Sequence, residues 1–141
     1  MKAVLLYEAE HAIRIRQALD EPDVRMAIKK LLDGNIKAFT DPRNPRGCFI
    51  VQGALACGEA ADELKHGMTE CRLVFTALLR KRITQAIHDG QIAALANASD
   101  LARYIAAVSH GIAVQAADGA SRAELLRVVK LALAALPRAK A

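Results

Sequence analysis

Aromatic side chains are scarce in this sequence: tryptophan is absent, and all aromatic residues together make up 4% of the chain. A core with so few large rings must be filled by Leu, Ile, Val and Ala, which suits helices packed closely on helices. Hydrophobic residues still make up 53% of the 141 residues. That is enough for one compact domain, which we expect to span residues 1–141.

Cysteines are few, and no Cys-x-x-Cys pair is present among Cys48, Cys57 and Cys71. If Cys48 and Cys57 share a helix, they lie on opposite sides of it, about 13 Å apart along the axis. That separation excludes a disulfide or a metal site shared by the two. An odd cysteine count without a signal peptide predicts a protein of the reducing cytoplasm.

Long apolar runs and basic runs interspersed with aromatic residues are also missing. The most apolar stretch, Leu125–Leu136, is interrupted by Arg127 and Lys130 and is too short to span a bilayer, so we expect no membrane contact. The net charge is +5, but the Lys and Arg residues are scattered among Asp and Glu. This pattern favours solvated helix faces over a surface for nucleic acid or acidic lipid.

Residues that would indicate catalysis or metal binding are not arranged in a recognisable pattern. His66 forms a helical ladder with Asp62 and Glu70, but no second histidine lies nearby, so we interpret the ladder as a charged surface. No nucleophile–base pair or paired buried carboxylates stand out. The sequence therefore predicts no metal, no cofactor and no enzyme, with a small all-α enzyme as the least favoured alternative.

Periodicity and helix-terminating residues predict an all-α fold with six helices and no strands. The predicted helices span residues 1–20, 22–40, 47–57, 59–89, 99–118 and 121–136. Pro22 is expected in the first turn of the second helix. Gly90 ends the long fourth helix, and Ser121 with Glu124 forms a capping box at the start of the last one.

The last two helices carry more apolar surface than one contact face can use. We therefore predict that they pair with the same helices of a second copy in a four-helix bundle about a two-fold axis. The alternative is that the first four helices cover this surface. The residues assigned to the dimer interface are Ala102, Ile105, Ala106, Ser109, Ile112, Ala113, Ala116, Leu125, Val128, Val129, Ala132 and Leu136.

Several segments, in order and spacing, resemble the C-terminal domain of TetR-type transcriptional regulators. They are Lys2–Leu6, Gly47–Val51, Ile83 to Ile87 with Gly90-Gln91-Ile92, Asp100–Ala102, Gly111–Ala116 and Gly119–Leu125. Gln91 stands where the family usually has Glu. The resemblance implies the ligand-binding and homodimerisation domain of a repressor. Operator DNA would then be bound only through a helix-turn-helix preceding Lys2, which we expect this chain to lack.

The resemblance also implies an effector pocket among the first, third, fourth and fifth helices. Its polar candidates are His11, Gln52, Cys71 and Tyr104, and its apolar candidates are Ile15, Phe49, Met68, Phe75 and Val108. A mostly apolar lining would suit a small hydrophobic or aromatic effector. Ordinary core packing is the alternative for each residue. His110 is expected in the dimer interface, and a stand-alone ligand-binding protein remains the alternative function.

Overall fold

The computed structural model describes residues 2–52 and 62–140, and over these ranges it is all-α, with six helices and no strands. The helices are α1 (Lys2–Leu19), α2 (Val24–Phe39), α3 (Phe49–Gln52), α4 (Asp62–His88), α5 (Ala98–Ala117) and α6 (Arg122–Ala134). The rest of the predicted third helix and the start of the predicted fourth lie outside the described residues. An isolated bridge pairs Ile92 with Arg138.

Helices α2 and α5 are among those that begin at positions different from the predicted ones, and in both a capping side chain sets the start. Helix α2 begins after Asp23, whose carboxylate accepts a hydrogen bond from the backbone N–H of Met26 at 2.9 Å. Pro22 therefore precedes the helix instead of opening it. Helix α5 begins after Asn97, which accepts from the N–H of Asp100 at 3.0 Å. Such caps satisfy N–H groups that have no partner within the helix.

Glycines with positive φ end the helices α4 and α5. Gly90 has φ +77° and Gly119 has φ +99°, conformations that strain any side chain with a Cβ. After α4, the N–H of Gln91 donates to the carbonyl of Ala86, five residues back, at 2.8 Å. The same bond closes α5, where Ala120 donates to the carbonyl of Gln115 at 3.0 Å. Both ends therefore have Schellman geometry.

Three arginines donate to carbonyl groups at the C-terminal ends of helices other than their own. Arg82 donates to Leu19 and Glu21 after α1, Arg46 to Ala116 and Ala120 around the end of α5, and Arg25 to Leu133 and Leu136 around the end of α6. The donor–acceptor distances are 2.6–2.9 Å. Each guanidinium satisfies orphan carbonyls, is attracted to the negative end of a helix dipole, and ties two elements together.

Helix α2 runs through the middle of the protomer and contacts α1, α4, α5 and α6. Its inward residues Val24, Ile28, Leu32 and Ile36 are almost fully buried. The most extensive helix pair is α4 with α5, and α6 packs on both α2 and α5. Burying apolar side chains on this scale, at about 25 cal/mol per Å², is the main source of stability for the fold.

The structure corrects the predicted contact face of the last two helices. Of the residues assigned to the dimer interface, all but Val128 are buried within a single protomer: Ala102, Ile105, Ala106, Ser109, Ile112, Ala113, Ala116, Leu125, Val129, Ala132 and Leu136. The premise that one subunit cannot cover them is wrong, because α2 and α4 cover α5 while α2 covers α6. These side chains belong to the protomer core.

Gln91 connects the segment after α4 to the start of α2. Its Oε1 accepts a hydrogen bond from the backbone N–H of Val24 at 2.7 Å, and its Nε2 donates to the carbonyl of Pro22 at 3.0 Å. A carboxylate here could accept the first bond but could not donate the second. The amide of Gln91 therefore forms both hydrogen bonds, whereas the glutamate that is usual at this position in TetR-type regulators could form only the first.

We expect Gln91→Met to lower the free energy of unfolding by about 1–3 kcal/mol, because it leaves the N–H of Val24 without its acceptor and removes one of the two donors to the carbonyl of Pro22, the other being Arg82. Urea denaturation followed by circular dichroism measures this change. Gln17→Met, the same substitution at an exposed position of α1, is the control and should change stability little. Equal stability of the two variants would contradict the bridging role of Gln91.

Candidate functional site

A small cavity of about 30 Å³ lies where α1, the end of α2, α3, α4 and α5 approach one another. Its lining residues are His11, Phe39, Cys48, Ile50, Val51, Cys71, Arg72, Phe75, Ser109 and His110. Such a volume is far below the about 300–1,000 Å³ of pockets for drug-sized ligands. The cavity therefore suits a ligand of a few heavy atoms.

Three residues predicted for the pocket, His11, Cys71 and Phe75, do line this cavity. Ile15 and Met68 are instead buried in the general core. The apolar spacing of a helix predicts that such residues face inward, but it does not distinguish a pocket wall from packed core.

The remaining predicted pocket residues lie elsewhere or cannot be placed. Phe49 is 48% exposed, and Tyr104 is on the outward side of α5. Val108 is half-buried next to the core but is not among the residues lining the cavity. The side chain of Gln52 lies outside the described residues. Tyr104 does not line the cavity, because its side of α5 faces outward.

Seven lining residues are not among those that the sequence predicts for the pocket: Phe39, Cys48, Ile50, Val51, Arg72, Ser109 and His110. The sequence predicts Ser109 and His110 in the dimer interface, whereas in the structure both line the cavity. Arg72 gave one usable signal, since it interrupts an apolar stretch of α4 between Cys71 and Leu73.

His11 is held in one tautomer beside the cavity. The Nη2 of Arg14 lies 2.7 Å from the Nδ1 of His11, and because a guanidinium can only donate, Nδ1 accepts and the ring proton is on Nε2. Burial, helped by the charge of Arg14, lowers the pKa of His11 from its ordinary 6.5 to about 4. The ring is therefore neutral at pH 7.

His110 lies at the cavity against Phe75, with ring centroids 6.1 Å apart and planes inclined by 45°. Burial lowers the pKa of His110, and the charge of Arg72 lowers it further. His110 is thus a neutral wall residue of the cavity, in contact with an aromatic ring of its own protomer.

Arg72 fixes α3 to α4 and brings a permanent charge to the cavity. Its Nη1 donates to the carbonyl of Ile50 at 2.7 Å, and its Nη2 donates to the Oγ1 of Thr69 at 3.1 Å. Within residues 2–52 and 62–140, no carboxylate forms an ion pair with it. Among the described residues, the guanidinium therefore has no carboxylate to neutralise its positive charge at the cavity wall.

Asn35 and Ser109 form a buried polar pair that joins α2 to α5. Their exposed fractions are 2% and 4%, and the Nδ2 of Asn35 donates to the Oγ of Ser109 at 3.0 Å. The Oδ1 of Asn35 has no hydrogen-bond partner. Since the serine oxygen accepts from Asn35, its own proton is available for a second partner.

The sequence predicts neither a metal site nor membrane contact, and two properties of the described residues concern these predictions. Within the part of the chain that the structure describes, no three His, Cys, Asp or Glu side chains are grouped closely enough to hold a metal ion. None of the described helices is both long and apolar enough to cross a lipid bilayer.

The neutral state of His11 predicts a loss of stability in acid. The unfolded chain binds this proton near pH 6.5 and the folded chain only near pH 4. Stability from this group is therefore fully present above pH 6.5 and falls through that window by at most about 3 kcal/mol. We expect His11→Gln to reduce the slope of unfolding free energy between pH 7 and 5, measured by urea denaturation.

Exposed His88 provides the matched control, and His88→Gln should keep the slope of the unsubstituted protein. A His11→Gln slope that coincides with that of the unsubstituted protein would show that His11 does not titrate as its burial implies.

Comparisons with known proteins agree with this fold. Residues 25–132 match the family described as "Tetracyclin repressor-like, C-terminal domain". Two cysteine-substituted forms of the TetR family transcriptional regulator CifR, both complexed with 26-base-pair operator DNA, superimpose with TM-scores of 0.90. They are 33% and 34% identical to this chain, and the matches cover 96% of it and 71% and 72% of theirs.

A putative TetR transcriptional regulator from Rhodococcus sp. RHA1 is also similar. It has a TM-score of 0.78 and 32% identity, with 90% of this chain and 68% of that one covered. No curated protein matches the sequence. By its matched residues and its structural neighbours, which are regulators and not enzymes, the chain belongs to the TetR family of transcriptional regulators.

Proposed function

We propose that this chain is the effector-binding and homodimerisation domain of a TetR-family repressor. One observation carries the proposal: α5 and α6 bury their inner faces in the protomer and still present apolar side chains outward. We call this set of exposed residues the outward face. It comprises Tyr104, Ala107, Gly111, Val114, Val128 and Leu131.

The outward face has the pattern of a helix contact. The residues on α5 recur at spacings of three and four, which places them on one side of the helix. On α6, Leu131 is 72% exposed and adds a large apolar side chain to this face. TetR-family regulators act as dimers, so the occupant that fits this face is a second copy of the chain.

Gly111 supports a close approach of that second copy. A Cβ built on Gly111 would meet nothing within 4 Å, so the protomer itself does not require glycine here. Glycine inside a helix costs about 1 kcal/mol relative to alanine. Without a side chain, the backbone of α5 is open to a helix packing directly against it.

The small cavity is the effector site in this proposal. Its walls come from α1, α2, α3, α4 and α5, so a ligand there would contact the inner side of the helix whose outer side meets the partner. CifR is described in complex with operator DNA, and its chain extends beyond the match. We assign operator binding to a helix-turn-helix outside the matched region, in a repressor acting in the cytoplasm.

Light scattering tests the dimer. We expect the chain to be a dimer and Val114→Glu to shift it to monomer with its helical content unchanged, because the new charge would be buried without a partner. Val114 is 40% exposed in the protomer. Val74→Glu on α4, where the valine is 55% exposed, is the matched control and should remain dimeric. A monomeric unsubstituted chain, or a dimeric Val114→Glu, would refute the proposed interface.

A further inference from the structure

We propose that the cavity binds a small carboxylate, whose oxygens accept a hydrogen bond from the hydroxyl of Ser109 and are attracted by the guanidinium of Arg72. This inference rests on the effector-binding function proposed above and names the chemical class of the effector. It departs from the hydrophobic or aromatic effector that the sequence predicted.

The hydrogen-bond inventory of Ser109 is the first argument. Ser109 lines the cavity, is almost fully buried, and accepts from Asn35. That is the one hydrogen bond the described residues make with it, so its own proton lacks an acceptor there. A buried donor left unpaired costs about 1–3 kcal/mol. An acceptor atom in the cavity removes this cost.

The orientation of the Asn35 amide determines whether the Ser109 hydroxyl donates to Asn35 or keeps its proton for another acceptor. Asn35 is fixed among apolar residues, and its Oδ1 is without a partner. If the amide were reversed, Ser109 could donate to Asn35 and would offer only lone pairs to the cavity. A ligand oxygen that accepts from Ser109 favours the observed orientation, whereas a ligand that donates favours the reversed one. With the amide donating as it does in the structure, Ser109 has its own proton to offer to an acceptor.

The charge around the cavity is the second argument. No Asp or Glu is among the described lining residues, and the two hydrogen bonds of Arg72 go to neutral oxygens, those of Ile50 and Thr69. His11 and His110 are neutral at pH 7, so neither ring competes as a cation. A half-buried, unneutralised guanidinium binds an anionic oxygen strongly and repels an amine.

The volume of the cavity and its apolar walls determine which chemical group can follow the carboxylate in the ligand. A cavity of about 30 Å³ admits only a few heavy atoms. Phe39, Ile50, Val51 and Phe75 form apolar walls beside the polar end. A carboxylate with a short alkyl chain satisfies both, since its charged end meets Arg72 and Ser109 while its tail meets these side chains.

Propionate is the probe for the test, with propylamine and indole as comparison ligands of opposite charge and of neutral aromatic character. Thermal unfolding of the full chain at pH 7.5 is followed as each probe is added. We expect propionate to raise Tm in proportion to its binding and propylamine to leave Tm unchanged. Ser109→Ala and Arg72→Met should each weaken propionate binding by about tenfold or more.

Two further variants separate binding from folding. Arg72→Lys keeps the charge and should retain part of the propionate response, and exposed Ser99→Ala should retain all of it. Each shift is measured against the same variant without ligand, so a lowered starting Tm does not mimic lost binding.

The outcomes distinguish this inference from the function on which it rests. A response to indole without a response to propionate overturns the carboxylate and leaves an effector site standing. Equal responses to propionate and propylamine, no response to any probe, or full propionate binding by Ser109→Ala and Arg72→Met also overturn it. The oligomeric state is measured separately and tests the dimer by itself.

Discussion

The packing of α5 on α2 and α4 is the constraint on which the rest of the structure depends. Small side chains, among them Ala102, Ala106 and Ala113, line the inner face of α5 and are almost fully buried. They let neighbouring helices approach closely, and their burial fixes the rotation of α5 about its axis. That rotation points Ser109 and His110 at the cavity, and it points Gly111 and Val114 outward. The cavity and the outward face, which is the proposed dimer contact, thus lie on opposite sides of one helix.

Because of this arrangement, an effector bound in the cavity could change the position of the helix that carries the outward face. Ser109 is bonded to Asn35 of α2, and Arg72 of α4 is bonded to Ile50 of α3. A ligand held by Ser109 and Arg72 would therefore link α5 to α4 while α2 and α3 are already attached to them. A ligand shifts a conformational equilibrium only by its difference in affinity between the states. The contacts that can create such a difference lie on α4 and α5.

Much of the fold was predictable from local chemistry. The six helices, the capping box at Ser121 and the helix end at Gly90 follow from residue types whose conformational preferences act over a few positions. The starts of α2 and α5 were displaced because Asp23 and Asn97 compete with their neighbours as caps, and periodicity does not rank such neighbours.

The rotation of α5 was not predictable in the same way. Its sequence carries larger apolar residues such as Ile105 beside smaller ones such as Ala102 and Ala113, and the structure buries both sets in the protomer. Which face is inner depends on the surfaces of α2 and α4, which are distant in sequence. The residues that line the cavity were not predictable for the same reason, because they are brought together by the packing of elements distant in sequence. His11 and Phe75 were found because their own helices face inward, whereas Arg72 and Ser109 became recognisable only through partners 22 and 74 residues away.

Adjacent alanines on α5 allow the most direct test of this account. Ala106 is buried in the protomer and Ala107 is exposed on the outward face. Circular dichroism and light scattering of Ala106→Glu and Ala107→Glu measure folding and assembly separately. The account predicts that Ala106→Glu loses helical structure, because an unpaired charge enters the core, and that Ala107→Glu stays folded as a monomer. A folded Ala106→Glu, or an Ala107→Glu that remains dimeric, would contradict the assignment of the two faces.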